Sequence, residues 1–303
     1  MPHTNEVDLL ENQGWDERIL VCRNGQLVKT FIVVTDRCVV LVDSLINAKT
    51  ASRMLDYARP YLAGTRALVV VNTHADYDHA WGNQLFAGPV ASHPAPIIGS
   101  QRCAEELRSS GSATYLQEMR DREPEIFAGV QLVEPTICFE EGLTIGGGDL
   151  TLQLFATPGH TPDHIALYIP EIETLLAADG AELPYPAARA VDGLPAMRAS
   201  LARMAALQPK VTLYCHAPVT IGPQLLHDNI AYFDALERHC RAALARGVPA
   251  RPDQDADVID LVGCRYEDVT PAGPMWEEVH EHYRTQGHAE QLRMMLAWLA
   301  DAK

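Results

Sequence analysis

The stretch His74-Ala75-Asp76-Tyr77-Asp78-His79 places four side chains that can bind a metal within six residues. It follows the apolar run Ala67-Leu68-Val69-Val70-Val71, which predicts a buried strand. A strand end is rigid, and the loop beyond it can turn several side chains toward one point. A solvated turn would explain the aspartates but not the two histidines that bracket them. The stretch therefore predicts a metal or catalytic site.

Length, composition and charge narrow the class of protein. The 303 residues, 47% of them apolar, fit one large globular domain, or a domain of about 200 residues with an appendage. A net charge of −16 argues against a nucleic-acid partner, since phosphate binding needs clustered Lys and Arg. The seven cysteines are odd in number and lack CxxC spacing, which is typical of a reduced protein. With neither a signal-peptide pattern at the start nor an apolar run of about 18 residues, we expect a cytoplasmic protein without a membrane partner.

Two blocks of predicted strands alternate with predicted helices. The predicted strands are residues 18–23, 26–34, 38–42, 67–71, 131–133, 136–139, 143–145, 150–156, 165–169, 174–177 and 211–215. The predicted helices are residues 47–62, most of 97–120, 194–207, 225–246 and 288–302. Two such blocks predict an α/β fold with two sheets packed face to face and helices outside. We expect a catalytic domain over residues 1–222 and a helical C-terminal extension over 223–303.

The remaining histidines and aspartates fall at the ends of other predicted strands. The residues in question are Asp43 after strand 38–42, His160 after 150–156, Asp179 after 174–177 and His216 after 211–215. With the opening stretch, five candidate ligand segments lie at the C-terminal ends of strands. Packed sheets can bring such ends to one edge, so these segments predict a single site.

At this point the chain resembles the metallo-β-lactamase-fold superfamily over roughly residues 18–222. The resemblance rests on Asp43, Thr73 to His79, Pro158-Gly159-His160-Thr161-Pro162, Asp179 and His216, in the family's order. It implies a four-layer αββα sandwich with two divalent metal ions at the sheet edge, zinc being the usual ion of the family. By motif position, His74 and His160 would bind the first metal, Asp78, His79 and His216 the second, and Asp179 both. Asp43 would orient the loop from behind the ligands.

Asp76 departs from the family pattern, which usually has a histidine at that position. A carboxylate favours harder ions, so iron or manganese gains relative to zinc. The flavodiiron branch carries Glu there, but no Gly-rich phosphate loop of a flavodoxin-like module follows residue 222. Alternatively, Asp76 weakens metal binding at the first of the two positions, and the protein binds a single metal ion.

The resemblance implies hydrolysis of a small-molecule substrate. Two cations would lower the pKa of a shared water, and the resulting hydroxide would attack an ester, thioester, lactone or related bond. Asp78 would also accept or orient a proton. Two alternatives stay open, a diiron or dimanganese redox enzyme and a non-catalytic sensor or binding module with a weakened site.

Several residues near these motifs have simpler interpretations. We expect His164 to make a structural hydrogen bond and Cys215 to be a small buried residue. Tyr77 and Trp81 either line the pocket or pack over the metal loop. Tyr185 lies where some lactonase members of the family place a tyrosine beside the substrate, so the resemblance implies a substrate contact there. A solvated helix face explains His280, His282 and His288. The amphipathic tail is a candidate surface for a homodimer.

Overall fold

The first half of the chain builds a seven-stranded sheet. The structure is a computed structural model that describes residues 3–218 and 220–301. The strands, in spatial as well as chain order, are β1 (Val7–Leu9), β2 (Ile19–Asn24), β3 (Val28–Val34), β4 (Cys38–Val42), β5 (Ala67–Val71), β6 (Ile97–Ser100) and β7 (Ile137–Phe139). Strands β1 to β4 pair antiparallel, whereas β4 to β7 pair parallel. The parallel pairing sends the ends of β4 and β5 to the same edge of the sheet.

The second sheet has six strands in the order β13-β12-β11-β10-β9-β8. Its strands are β8 (Gly142–Gly146), β9 (Thr151–Ala156), β10 (Ile165–Ile169), β11 (Thr174–Ala178), β12 (Val211–Tyr214) and β13 (Thr220–Ile221). Strands β11 and β12 pair parallel, so their C-terminal ends also share an edge.

Helices cover the outer faces of both sheets. They are α1 (Ala48–Ala58), α2 (Tyr77–Ala80), α3 (Gln101–Leu107), α4 (Ser110–Arg122), α5 (Pro124–Phe127), α6 (Gly193–Ala206), α7 (Gln224–Ala245), α8 (Val258–Val262), α9 (Pro274–Glu277) and α10 (His288–Asp301). A π-helical turn, Tyr283–Gly287, leads directly into α10.

The period-two alternation of strand β10 explains the layering. Ile165, Leu167 and Ile169 join the hydrophobic cluster shared with the first sheet, whereas Ala166 faces the cluster formed with α6, α7 and α10. Alternate side chains of a strand point to opposite faces, so a strand buried on both sides reads as continuously apolar. The predicted four-layer αββα sandwich with a helical C-terminal part is confirmed.

The helical extension shares a core with the second sheet. Leu225 and Phe233 of α7 and Leu292 of α10 are buried in one cluster with residues of the second sheet. The division into domains at residue 222 stays a prediction. Among the tail histidines, His280 and His282 are exposed, but the solvated-face interpretation is wrong for His288. Its ring is fully buried, within 2.8 Å of the Tyr232 hydroxyl and of the Cys264 carbonyl oxygen.

Two secondary-structure predictions differ from the structure. Residues 131–133 form no strand, because side chains of the segment after α2 satisfy their backbone: Asn83 donates to the Val133 carbonyl and Gln84 accepts from the Gln131 N–H. The predicted helix at 97–120 begins as strand β6, because β-branched Ile97 and Ile98 pair with β5. No helix of the described residues is long and apolar enough to cross a membrane.

Candidate metal centre

Four imidazoles converge on one carboxylate oxygen at the shared edge of the two sheets. The Oδ2 atom of Asp179, directly after β11, lies 3.3 Å from Nε2 of both His79 and His216. It lies 3.7 Å from Nε2 of His74 and 3.6 Å from that of His160. All of these side chains come from segments that directly follow strands, as the sequence predicts.

Two further aspartates divide the imidazoles into two sets. Asp78 Oδ2 lies 3.6 Å from His79 Nε2 and 3.5 Å from His216 Nε2. Asp76 Oδ2 lies 3.4 Å from His74 Nε2 and 3.5 Å from His160 Nε2. Each set therefore contains two imidazoles and one carboxylate, and Asp179 stands between the sets.

The neighbours of three histidines fix which ring nitrogen carries the proton. His79 Nδ1 lies 2.8 Å from a carboxylate oxygen of Asp43 and His160 Nδ1 lies 3.0 Å from the Ala187 carbonyl oxygen, so both nitrogens must donate. The Thr73 hydroxyl donates to Asp43, at 2.8 Å, and accepts from His74 Nδ1, at 3.0 Å. In each ring Nε2 is thus the nitrogen that faces Asp179 and is left for a metal, which is the orientation that metal-binding histidines adopt.

Asp43 anchors the loop that carries most of the candidate ligands. One of its oxygens accepts the Thr73 backbone N–H at 2.7 Å, and the other accepts the Thr73 hydroxyl and His79 Nδ1. The residue is buried, and its backbone adopts the left-handed region with a φ of 68°. Asp tolerates this region better than most residues, which suits a carboxylate at a sharp strand end.

The electrostatics of the site favour ionised aspartates. Burial opposes ionisation of Asp179, but the facing imidazoles of His216 and His79 outweigh burial and hold its pKa well below the usual range. Glu182 behaves differently. Burial, assisted by the charge of Asp179, raises the pKa of Glu182 to about 7. Its Oε1 lies 3.7 Å from His160 Nδ1, so Glu182 borders the site without joining either ligand set.

The donor set fits divalent metal ions. The Nε2 atoms of His74, His79 and His160 and the Oδ1 atom of Asp179 are buried without a hydrogen-bond partner. Unpartnered buried polar atoms are costly in a protein and call for a ligand. Two clusters, His74-His160-Asp179 and Asp78-His79-His216, have ligand atoms within 4.8 Å of one another. Neutral imidazoles combined with carboxylates suit zinc, iron and manganese.

The neighbouring candidates have structural roles. His164 accepts the Asp179 backbone N–H at Nε2 and donates from Nδ1 to Thr157, which confirms the structural interpretation. Cys215 is buried, as expected. Trp81 is packed in a core, and the hydroxyl of Tyr185 donates to the Tyr283 carbonyl oxygen at 2.7 Å.

Two residues of the site were not predicted from the sequence. Arg189 forms an ion pair with Asp76, and Glu182 contacts His160. Both lie in the loop between β11 and α6, beyond its strand-end residue Asp179 and outside any motif. The one available signal was that Arg189 is the only Lys or Arg between Asp179 and Met197.

Comparison with known proteins identifies the family. The model of the metallo-beta-lactamase superfamily matches residues 24–216, more than half of the chain. The chain belongs to this superfamily. Its relatives include hydroxyacylglutathione hydrolases, one from Hahella chejuensis at 26% identity over 60% of this chain and 62% of that protein. Another, from Rhodopseudomonas palustris, is 33% identical over 39% of this chain and 44% of that protein. The matched regions thus span less than two thirds of the length of these curated relatives.

Solved structures of the superfamily fold agree with the architecture. A metallo-beta-lactamase from Pontibacter korlensis superposes with a TM-score of 0.56 at 17% identity, covering 76% of this chain and 99% of that one. The stereoselective inverting sec-alkylsulfatase Pisa1 from Pseudomonas sp. gives a TM-score of 0.62 at 17% identity, covering 92% and 48%. At such identities the likeness establishes the fold alone.

Proposed function

We propose that this superfamily member is a metal-dependent hydrolase of a small ester, thioester, lactone or related substrate, with two divalent ions in its site. The observation that carries the proposal is the convergence of four imidazole Nε2 atoms on Asp179 Oδ2 at 3.3–3.7 Å. His74, His160 and Asp76 would hold one ion, and His79, His216 and Asp78 the other, with Asp179 shared. When bound, such ions lower the pKa of water and polarise the bond under attack, which is the chemistry that hydrolysis needs.

The chain's own residues prepare the site for that chemistry. Asp43 keeps His79 in the tautomer that presents Nε2, and Thr73 does the same for His74. The carboxylate of Asp78 is positioned to accept or orient a proton during the reaction. Trp81 is buried in a hydrophobic cluster with Ala75 and Ala80 of the same segment.

The relatives support the proposed substrate class. The hydroxyacylglutathione hydrolases act, by their name, on a thioester, which supports acyl transfer to water. The sec-alkylsulfatase neighbour adds sulfate esters to the bonds worth testing. Substrates of these types are small molecules. Zinc is the ion we propose by family, while the carboxylate of Asp76 favours iron or manganese.

The decisive experiment combines metal analysis with a substrate panel. Protein purified without added metal is analysed for zinc, iron and manganese and then assayed on ester, thioester, lactone, phosphodiester and sulfate-ester substrates. We expect two metal ions per chain and turnover of at least one substrate. His216→Asn should lose most of that turnover and one equivalent of metal, whereas His227→Asn, on the exposed face of α7, should change neither.

The redox alternative is motivated by Asp76, whose carboxylate would suit iron or manganese. Oxygen-dependent turnover by an iron- or manganese-loaded protein would favour it. Protein containing only zinc and lacking oxygen-dependent turnover would exclude it. A non-catalytic binding module would be excluded if Asp78→Ala abolished hydrolysis while the fold stayed intact.

A further inference from the structure

A bidentate ion pair joins the candidate centre to the loop between β11 and α6. Arg189 Nη1 donates to Asp76 Oδ1 at 2.9 Å, and Nη2 donates to Oδ2 of the same carboxylate. The Arg189 side chain is 56% exposed, whereas the Asp76 side chain is 15% exposed. The pair therefore reaches from the protein surface into the centre.

Asp76 Oδ2 is shared between the guanidinium and two imidazoles. It faces His74 Nε2 at 3.4 Å and His160 Nε2 at 3.5 Å, and both nitrogens are buried without hydrogen-bond partners. Asp76 is also the N-cap residue of α2, where an aspartate commonly accepts backbone N–H groups of the first turn. No such bond forms here, so the carboxylate is committed to the centre and to Arg189.

Asp76 adds a negative charge that neutral imidazole ligands cannot offset. With Asp78 and Asp179 it is the third carboxylate of the centre, and the four histidines serve as ligands only when neutral. Among the described residues, Arg189 is the one Lys or Arg that forms an ion pair with any of these three aspartates. Asp76 and Arg189 together contribute no net charge to the centre. In this respect the pair resembles a neutral histidine ligand.

Two contacts hold the backbone immediately before Arg189. The preceding Ala187 carbonyl oxygen accepts His160 Nδ1–H at 3.0 Å. The Ala188 N–H donates to the Gln291 side chain of α10 at 3.4 Å. The backbone that leads into Arg189 is thereby tied to a candidate ligand and to the helical extension.

We propose that Arg189 is a positioning residue of the metal centre, whose planar guanidinium aims the carboxylate of Asp76 at the metal position shared with His74 and His160. This inference rests on the proposed function, because it concerns one of the two metal positions. A forked guanidinium fixes a carboxylate in one plane, which a single ammonium group cannot do. An exposed ion pair with no further role would contribute little and could be removed without consequence for the metal.

Zinc affinity distinguishes a positioning role for Arg189 from an exposed ion pair with no further role. The metal-free full-length protein is titrated with zinc in competition with a chromophoric chelator, which resolves two binding steps. We expect Arg189→Gln to weaken one step by about 10–100-fold, the range typical for partners of metal ligands, and to leave the other step unchanged. Arg108→Gln is the matched control, since Arg108 forms an ion pair with Glu134 and its side chain is 55% exposed, close to the exposure of Arg189. The control should bind zinc as the unaltered protein does.

Two further substitutions distinguish the orientation that the guanidinium imposes on Asp76 from the effect of its positive charge. Arg189→Lys keeps the charge but loses the fork, so we expect it to recover only a small part of the lost affinity; full recovery would overturn the positioning role. Asp76→His provides a neutral ligand that needs no guanidinium. In that background Arg189→Gln should cost no affinity, and an equal loss in both backgrounds would overturn the proposal.

The outcomes also separate this inference from the proposed function. Two tight zinc ions in both the unaltered protein and Arg189→Gln would refute the role of Arg189 and leave the hydrolase proposal intact. Failure of the unaltered protein to bind zinc, iron or manganese would refute both. Thermal melting of each metal-free variant shows whether an affinity change reflects the site or a damaged fold.

Discussion

At the scale of single residues, Asp43 links the end of β4 to the candidate ligands. It is buried and accepts three hydrogen bonds, from the Thr73 N–H, the Thr73 hydroxyl and His79 Nδ1–H. Hydrogen bonds to a charged group are stronger than those between neutral groups. A buried group left without its partner costs about 1–3 kcal/mol. Asp43 therefore contributes both to the fold and to the orientation of His79.

We predict that Asp43→Asn destabilises the metal-free protein by about 1–3 kcal/mol, since an amide cannot accept all three bonds. Zinc affinity at the position shared by His79 and His216 should fall by about 10–100-fold as the His79 ring loses its fixed tautomer. Urea denaturation and zinc competition measure the two effects. Asp8→Asn on edge strand β1, where the side chain is 60% exposed, is the control. Unchanged zinc affinity in Asp43→Asn would contradict the orienting role.

The sequence predicted the residues of the centre well because strand ends carry them. His74, Asp76, Asp78, His79, His160, Asp179 and His216 all lie around one point, and their roles as ligands stay predictions. Arg189 and Glu182 were missed for a physical reason. They reach the site from an irregular loop whose path depends on tertiary contacts, and no periodic pattern encodes such a path.

At the scale of elements, the loop between β11 and α6 is held by the helices of the extension. Asn229 of α7, fully buried, accepts the Glu182 N–H at 3.1 Å and donates to the carbonyl oxygens of Glu182 and Pro184 at 2.9 and 3.0 Å. Gln291 of α10 holds Ala188 further along. The extension thus supports the loop that carries Glu182 and Arg189.

We predict that Asn229→Ala leaves three backbone groups of this loop unpaired, lowering the stability by about 1–3 kcal/mol. The loop should also become more sensitive to limited proteolysis, because it loses its hydrogen bonds to α7. His227→Ala, exposed on the same helix, should affect neither stability nor cleavage. Cleavage at the same rate in Asn229→Ala and the unaltered protein would show that other contacts hold the loop.

In two segments the sequence pattern predicts the wrong structure. The apolar residues of 131–133 resemble a strand, but the backbone there bonds to Asn83 and Gln84 side chains that no local pattern reveals. His288 is the first residue of α10, yet its ring is buried between the Tyr232 hydroxyl and the Cys264 carbonyl oxygen. In both places tertiary partners decide the structure, whereas strand and helix periodicity depend on the local chain.

At the scale of the whole molecule, the second hydrophobic core joins the sheet to the extension. Phe155, Ala166 and Leu175 of the sheet share it with Phe233 and Leu292 of the extension. A core divided between two parts of a chain stabilises neither part alone, because each would expose an apolar face to water. The predicted division at residue 222 would run through this core.

We therefore predict that a fragment of residues 1–222 does not fold cooperatively. The outer face of its second sheet and helix α6 would lose the packing of α7 and α10 and expose a large apolar patch, which promotes aggregation. Urea denaturation followed by near-ultraviolet circular dichroism, with light scattering for association, compares the fragment with the full chain. Light scattering of the full chain also tests the predicted homodimer. A soluble fragment that unfolds in one sharp transition and binds zinc as tightly as the full chain would establish residues 1–222 as an independent domain. The extension would then be dispensable for the centre, contrary to the contacts of Asn229 and Gln291 with its loop.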